Sequence, residues 1–199
     1  MKNILFSGNV KVFDGMLTCM LSIFKRTNSK EPYNFYIFTM DVSHIKRDYI
    51  PVSDKQVEFL QQIAKDYNPD NLVTKIDVTD IYMEEFDNCP NENAYCSPYT
   101  LLRLFADKIP EIPDKLLYLD VDILFNREPE LLYDVDVEGY EYAAARDHYG
   151  KYLLNPNYIN AGVLLFNMKE IRKTGLFEKA RHLIKTKKLL FADQDAVYR

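Results

Sequence analysis

Two rhythms of apolar and polar positions alternate along this chain. Short apolar runs closed by turn residues mark strands, and apolar residues spaced three and four apart mark helices. Asn3–Phe6 is an apolar run closed by Ser7-Gly8-Asn9, which predicts a first strand and a turn. From Phe13 to Phe24 the spacing turns helical, with Met16, Leu17, Met20, Leu21 and Phe24 on one face. Tyr33–Met40, rich in aromatic and β-branched residues, predicts a second strand that ends at Asp41. Ser53 with Gln56 three residues on reads as a capping box, opening a helix to about Tyr67. Leu72–Ile76 predicts a strand and Thr100–Asp107 a short helix. Leu116–Leu119, Glu141–Arg146 and Ala161–Asn167 predict three more strands. One helix is expected over Lys169–Lys188, and a last one starts at ADQDAVY with Asp193 as its N-cap.

The alternation of strand and helix in the first half predicts an α/β fold, a mostly parallel central sheet with helices on both faces. LLYL and GVLLF are the continuous apolar runs of strands buried on both sides. Ligands of such sheets sit beyond the carboxyl ends of the strands, where Ser7-Gly8-Asn9, Asp41, Asp120 and Asp122 all fall. The 199 residues suit a single domain, or one domain with a small annex, and contain no repeat or low-complexity linker.

Charge narrows the partners. A net charge of −5 and a pI near 5.3 argue against a nucleic-acid binder. The start, MKNILFSGNV, is too soon polar for a signal peptide, and no window approaches the length of a membrane span. Cys19, Cys89 and Cys96 form no CxxC pair and leave one unpaired in any disulfide scheme, which fits a reducing, cytoplasmic location. Lys169–Lys188 carries eight Lys/Arg against two Glu. That excess is either a solvated helix face or an attraction to an anionic membrane surface.

The chemistry concentrates in KLLYLDVDILFNREPELL, where Asp120 and Asp122 interrupt what is otherwise a buried strand. A D-x-D triplet alone is weak, since 18 aspartates in 199 positions produce such triplets by chance. Three occur, and Asp134/Asp136 lie in a polar segment heading into a turn, where solvation explains them. Asp120 and Asp122 differ, because residues i and i+2 of extended chain project to one side. Two carboxylates that close require a cation, or one must take up a proton. A hard divalent ion such as Mg²⁺ or Mn²⁺ meets that need. Pairing with arginines, or capping a turn, would meet it too.

YLDVDILF, then YINAGVLLFN about 40 residues later, then ADQDAVY, with NILFSGN at the start and SPYTLLRLF between, resemble family 8 glycosyltransferases. These are retaining enzymes that include bacterial lipopolysaccharide galactosyl- and glucosyltransferases and glycogenin. The resemblance implies a GT-A, Rossmann-like nucleotide-sugar-binding fold spanning residues 1–199 as one domain. It implies a UDP-sugar donor, most often UDP-glucose or UDP-galactose, held with Mn²⁺ (or Mg²⁺). The acceptor it implies is a saccharide or glycolipid on a lipopolysaccharide, capsule or wall-polymer precursor. In its terms Asp120 and Asp122 bind the metal, and Ser7, Gly8, Asn9, Arg103 and Val121 complete the nucleotide side. Asp147, Asn160, Ala161 and Gly162 touch the donor sugar, and Asp193 and Gln194 lie near the anomeric carbon.

Simpler readings stand beside these. Arg103 could pair with Asp107 on its own helix, Asn160-Ala161-Gly162 could be a tight turn before a strand, and Asn9 could be a turn residue. The rival activities are a metal-dependent nucleotidyltransferase or phosphohydrolase, and a nucleotide-sugar-binding relic without turnover. The family's usual third metal ligand is a histidine in a C-terminal segment that His44, His148 and His182 do not match. The 199 residues are therefore expected to be a portion of a longer chain. Its remainder would supply that ligand, part of the acceptor site and a basic tail for peripheral membrane association.

Overall fold

The computed structural model describes residues 1–92 and 97–198, so Cys96 lies outside the described residues. In chain order the elements are β1 (Lys2–Ser7), α1 (Phe13–Arg26), β2 (Tyr33–Thr39), α2 (Asp54–Tyr67), β3 (Leu72–Asp77) and α3 (Thr79–Phe86). A 3₁₀ helix (Pro98–Phe105) then precedes β4 (Lys115–Leu119), α4 (Glu130–Tyr133), β5 (Tyr142–Arg146) and α5 (Gly150–Leu153). β6 (Ile159–Asn167), α6 (Met168–Thr174), α7 (Leu176–Thr186) and α8 (Ala192–Tyr198) complete the chain. The strands form one six-stranded sheet in the order β3-β2-β1-β4-β6-β5. β1, β2 and β3 pair in parallel, whereas β5 runs antiparallel to β6. The α/β expectation with a mostly parallel sheet holds.

The chain forms two compact units, Met1–Thr79 with Leu119–Asp136, and Asp80–Tyr118 with Val137–Arg199. In the first, all seven residues of β2 are buried. Phe35 stacks on Phe6 and Tyr33, and Phe24 of α1 meets it edge-on. The face of α1 that packs here is Met16, Cys19, Met20, Ile23 and Phe24. Leu17 and Leu21, placed on that face by the spacing, are not fully buried: Leu17 is half-buried and Leu21 is 37% exposed. Both stripes fit a 3.6-residue period, and β2's aromatic surface selects the one carrying Cys19 and Ile23.

α2 opens on the expected capping box, with Ser53 and Gln56 bonding reciprocally. Gln56 does more: its Nε2 donates to the Val10 carbonyl at 2.9 Å, tying the start of α2 to the loop after β1.

In the second unit Phe166 packs against Tyr118 and Phe177, and Phe86 against Phe105. Two expected helices change form here. The segment expected as a helix over Thr100–Asp107 is wound as 3₁₀ and starts earlier, at Pro98, with every residue except Thr100 buried. Eight residues are too few for apolar spacing to separate a period of 3.0 from 3.6. The single helix expected over Lys169–Lys188 is two, because Gly175 at φ +68° closes α6 in the left-handed conformation and α7 restarts at Leu176.

Four of that segment's eight basic residues are ion-paired within the protein. Arg172 meets Asp114, Lys173 meets Glu170, Lys185 meets Glu85, and buried Arg181 holds Asp107 through two bonds of 2.6 and 3.0 Å. No helix among the described residues is long and apolar enough to cross a membrane.

Candidate active site

Each unit carries part of the residue set singled out in the sequence. In the first unit, β1 ends at Ser7 and the chain turns at Gly8. Gly8 is fixed from both sides: its N–H donates to the Phe38 carbonyl at 3.0 Å, and its carbonyl accepts from the Thr39 hydroxyl at 2.8 Å. A Cβ on Gly8 would lie 2.2 Å from Val12 Cγ2, so any side chain there would force Val12 to move. Asn9 is buried, and its Oδ1 accepts from the Lys11 N–H at 3.0 Å, which confirms its part as a turn residue. Ser7 Oγ is buried and has no hydrogen-bond partner among the described residues. A hydroxyl left so costs about 1–3 kcal/mol, and a ligand's polar atom at this strand end would remove that cost.

Asp120 is half-buried and Asp122 exposed, on the turn that follows β4. Gly15 of α1 lets the helix approach this turn: a Cβ there would lie 2.6 Å from the Val121 carbonyl oxygen. An isolated glycine inside a strong helical pattern costs about 1 kcal/mol relative to alanine, and this close approach is its reason. The signal was in the sequence, but nothing there said what came close. Cys19, also on α1, is buried, and its thiol is pushed up to about 12 by burial and then by the charge of Asp122. It stays protonated, so the oxygen atoms of Asp120 and Asp122 are the donors on offer, and they suit a hard divalent ion. Asp134 and Asp136 are exposed on the surface, as expected.

Gly15→Ala should expose this dependence. Overpacking against a backbone carbonyl costs about 1–3 kcal/mol, more than the helix propensity that alanine restores. The expected result is a lower thermal midpoint together with weaker binding of a divalent ion such as Mn²⁺. A raised midpoint with unchanged binding would show that α1 does not support the turn.

In the second unit one buried cation organises the candidates. Arg103 of the 3₁₀ helix is 1% exposed. Its Nε donates to the Thr100 carbonyl at 2.9 Å and lies 3.3 Å from Asp193 Oδ2. Nη1 donates to the Ala161 carbonyl, and the guanidinium stacks on the Tyr118 ring, 3.7 Å from its centroid. The simpler pairing with Asp107 does not form, because Asp107 is bound by Arg181. Asp193 is likewise not an N-cap: it lies within the first turn of α8, which starts at Ala192, and its carboxylate turns to Arg103. Asp195 ties down the helix start, its Oδ2 accepting from the N–H groups of Leu190 and Phe191 and its Oδ1 from the Tyr158 hydroxyl. Residues i and i+2 of a helix point apart, so the Asp193/Asp195 triplet is not a converging pair.

Ala161 joins two of the candidates. Its carbonyl accepts from Arg103, and its N–H donates to Gln194 Oε1 at 3.2 Å. Asn160, Ala161 and Gly162 lie within β6 rather than in a turn before it. Asn160 Oδ1 accepts from the Gly162 N–H at 3.0 Å, and Nδ2 reaches Asp147 Oδ2 at 3.4 Å. Antiparallel register explains that meeting: Asp147 follows the last residue of β5, and its N–H donates to the Tyr158 carbonyl at 2.8 Å, just before β6. Asp147 Oδ1 also accepts from the N–H groups of Gly150 at 2.6 Å and Tyr149 at 3.0 Å. The Gly150 N–H, with help from Asn160, Tyr149 and Gln194, holds its carboxyl below the usual range, so it is ionised at neutral pH. Gly150 itself is required, since a Cβ would lie 2.2 Å from the Tyr158 ring. Arg103, Asp147, Asn160, Ala161, Asp193 and Gln194 thus form one connected network. Tyr118, Gly150 and Tyr158, which support it, were not visible in the sequence pattern.

The glycosyl transferase family 8 model matches residues 3–198, a span that includes every candidate named above. The chain belongs to glycosyl transferase family 8. Among similar proteins, a putative glycosyltransferase of Haemophilus influenzae is 28% identical over 188 residues, covering 89% of this chain and 52% of that protein. Glycosyltransferase GlyA of Streptococcus pneumoniae is 34% identical over 109 residues, covering 49% of this chain and 15% of that protein. The chain thus spans about half the length of the Haemophilus relative. Galactosyltransferase LgtC, solved with donor and acceptor sugar analogues, superposes with a TM-score of 0.78 at 21% identity, covering 98% of this chain and 69% of that one. The bifunctional glycosyltransferase WbbM gives 0.75 at 19%, covering 98% and 36%. At these identities the likeness establishes the fold, which is GT-A.

Proposed function

We propose that this family 8 chain carries the donor-binding machinery of a glycosyltransferase that moves a hexose, glucose or galactose, from a UDP-sugar to a saccharide acceptor with retention. The observation that carries the reading is the family match from residue 3 to residue 198, which takes in both the carboxylate turn and the Arg103–Gln194 network. In this reading Asp120 and Asp122 hold a divalent ion, Mn²⁺ or Mg²⁺, and Ser7, Gly8 and Asn9 meet the nucleoside. Ser7 Oγ, buried without a partner among the described residues, is the group such a contact would satisfy. The ion, when bound, supplies charge neutralisation at the departing diphosphate.

The sugar falls to the second unit's network. Positive charge develops on the sugar ring as its bond to the diphosphate breaks, and ionised Asp147, with the Asp193 carboxyl beside Arg103 and the Gln194 amide, favours it. Gln194 is held by the Ala161 N–H, which fixes its orientation and suits a positioning role. Free thiols at Cys19 and Cys89 support a reducing, cytoplasmic setting.

Following UDP release from UDP-glucose and UDP-galactose with Mn²⁺, with and without saccharide acceptors, tests the reading. Metal-dependent UDP release that acceptors accelerate is expected, and Gln194→Ala should lower turnover by more than it weakens UDP affinity. Pyrophosphate release would point instead to nucleotidyl transfer, and UDP binding without release to a protein that binds donors but does not turn them over.

A further inference from the structure

A group of exposed apolar side chains lies in the second unit. Tyr149 (73% exposed), Tyr152 (78%) and Leu153 (79%) stand out from the short α5, and Leu190 (66%) from the segment before α8. Leu154, the residue that follows α5, lines a cavity of about 390 Å³ together with Leu190, Lys187 and Lys188, with Tyr158 and Tyr198 among the residues of its wall. A monomer rarely leaves so many large apolar groups in water without a partner.

The charges interleaved with these groups indicate which partner. Lys187 and Lys188 are exposed and make no ion pair among the described residues, unlike Arg172, Lys173, Arg181 and Lys185 upstream. Lys151 places its Nζ 4.9 Å from the centroid of the Tyr152 ring, so a third cation belongs to the same surface. The acid at the cavity, Asp195, is buried and already bound by Tyr158 and two backbone N–H groups. A second copy of this chain would set these lysines against one another. A surface of tyrosine and leucine studded with lysine matches the headgroup and upper acyl region of an anionic bilayer.

We infer that α5 and residues 187–191 form a docking surface for an anionic membrane. This goes beyond the reading of the chain as a glycosyltransferase and does not depend on it. The surface is built onto the candidate sugar-side network. Asp147 accepts the first N–H groups of α5, and Asp195, which fixes the 190–191 segment, is the neighbour of Gln194.

Sedimentation of the purified protein with vesicles tests this, using pure phosphatidylcholine and phosphatidylcholine containing phosphatidylglycerol. Binding to the anionic vesicles should be at least about tenfold stronger than to neutral ones and should weaken as salt is raised. Lys187→Glu with Lys188→Glu should remove about tenfold or more of that preference. Tyr152→Ser with Leu153→Ser should weaken binding at any salt concentration. All variants should keep the wild-type thermal midpoint, since these side chains are exposed. Equal binding of wild type and variants, or equal binding to both vesicle types, would overturn the inference. So would sedimentation-velocity evidence of a dimer that the Tyr152/Leu153 variant dissolves.

Discussion

Arg103→Met should destabilise the protein by about 3–5 kcal/mol, the cost of removing one partner from a buried ion pair. In a chain of this length that corresponds to a fall of roughly 6–20 °C in thermal midpoint. The size follows from what the guanidinium holds. It links the 3₁₀ helix to α8 through Asp193 and to β6 through the Ala161 carbonyl, and it covers the Tyr118 ring. Methionine fills the volume and can keep the contact with the ring, but it leaves a buried carboxylate and a buried carbonyl without their cation. Arg103→Lys keeps the charge and loses the planar fork, so it should fall between methionine and wild type. The family resemblance assigns Arg103 to donor binding, whereas at 1% exposure its contacts run to the protein's own Asp193 and Ala161. Thermal unfolding and UDP affinity measured on Arg103→Lys separate the two roles. A lowered midpoint with UDP affinity kept supports the positioning role. An unchanged midpoint with affinity lost would make Arg103 a donor contact instead.

What the amino-acid sequence disclosed was the order of elements and the identity of the site motifs. The buried runs of β1, β2, β4 and β6 and the Ser53–Gln56 box were legible because each is a local signal, readable within a few residues. The partners of polar side chains were not. Arg103 and Asp107 sit four apart and invited pairing, yet each takes a distant partner, Asp193 and Arg181. The burial of α1 went to Cys19 and Ile23 because tertiary packing chose between two equally periodic stripes. Gly175 stood in plain view inside the basic segment, but only its positive φ shows that it ends a helix. The short helices α3, α4 and α5 carry too few residues for a period to register.

Asp120 and Asp122 are the proposed metal-bearing pair, and Asp122→Asn tests that role. Outer partners of metal ligands are worth 10–100-fold in affinity, so loss of a direct carboxylate should weaken Mn²⁺-dependent UDP binding by about 100-fold. Asp122 is exposed, so the fold should survive and the thermal midpoint without ligand should stay unchanged. Asp134→Asn alters an equally exposed aspartate of the second D-x-D triplet and should bind as wild type does. The measurement is calorimetric titration of UDP into wild type, Asp122→Asn and Asp134→Asn, each with Mn²⁺ and with chelator. The expected result is binding that chelator abolishes in wild type and Asp134→Asn and that Asp122→Asn nearly lacks. Equal UDP affinity in all three proteins, with or without Mn²⁺, would contradict the assignment.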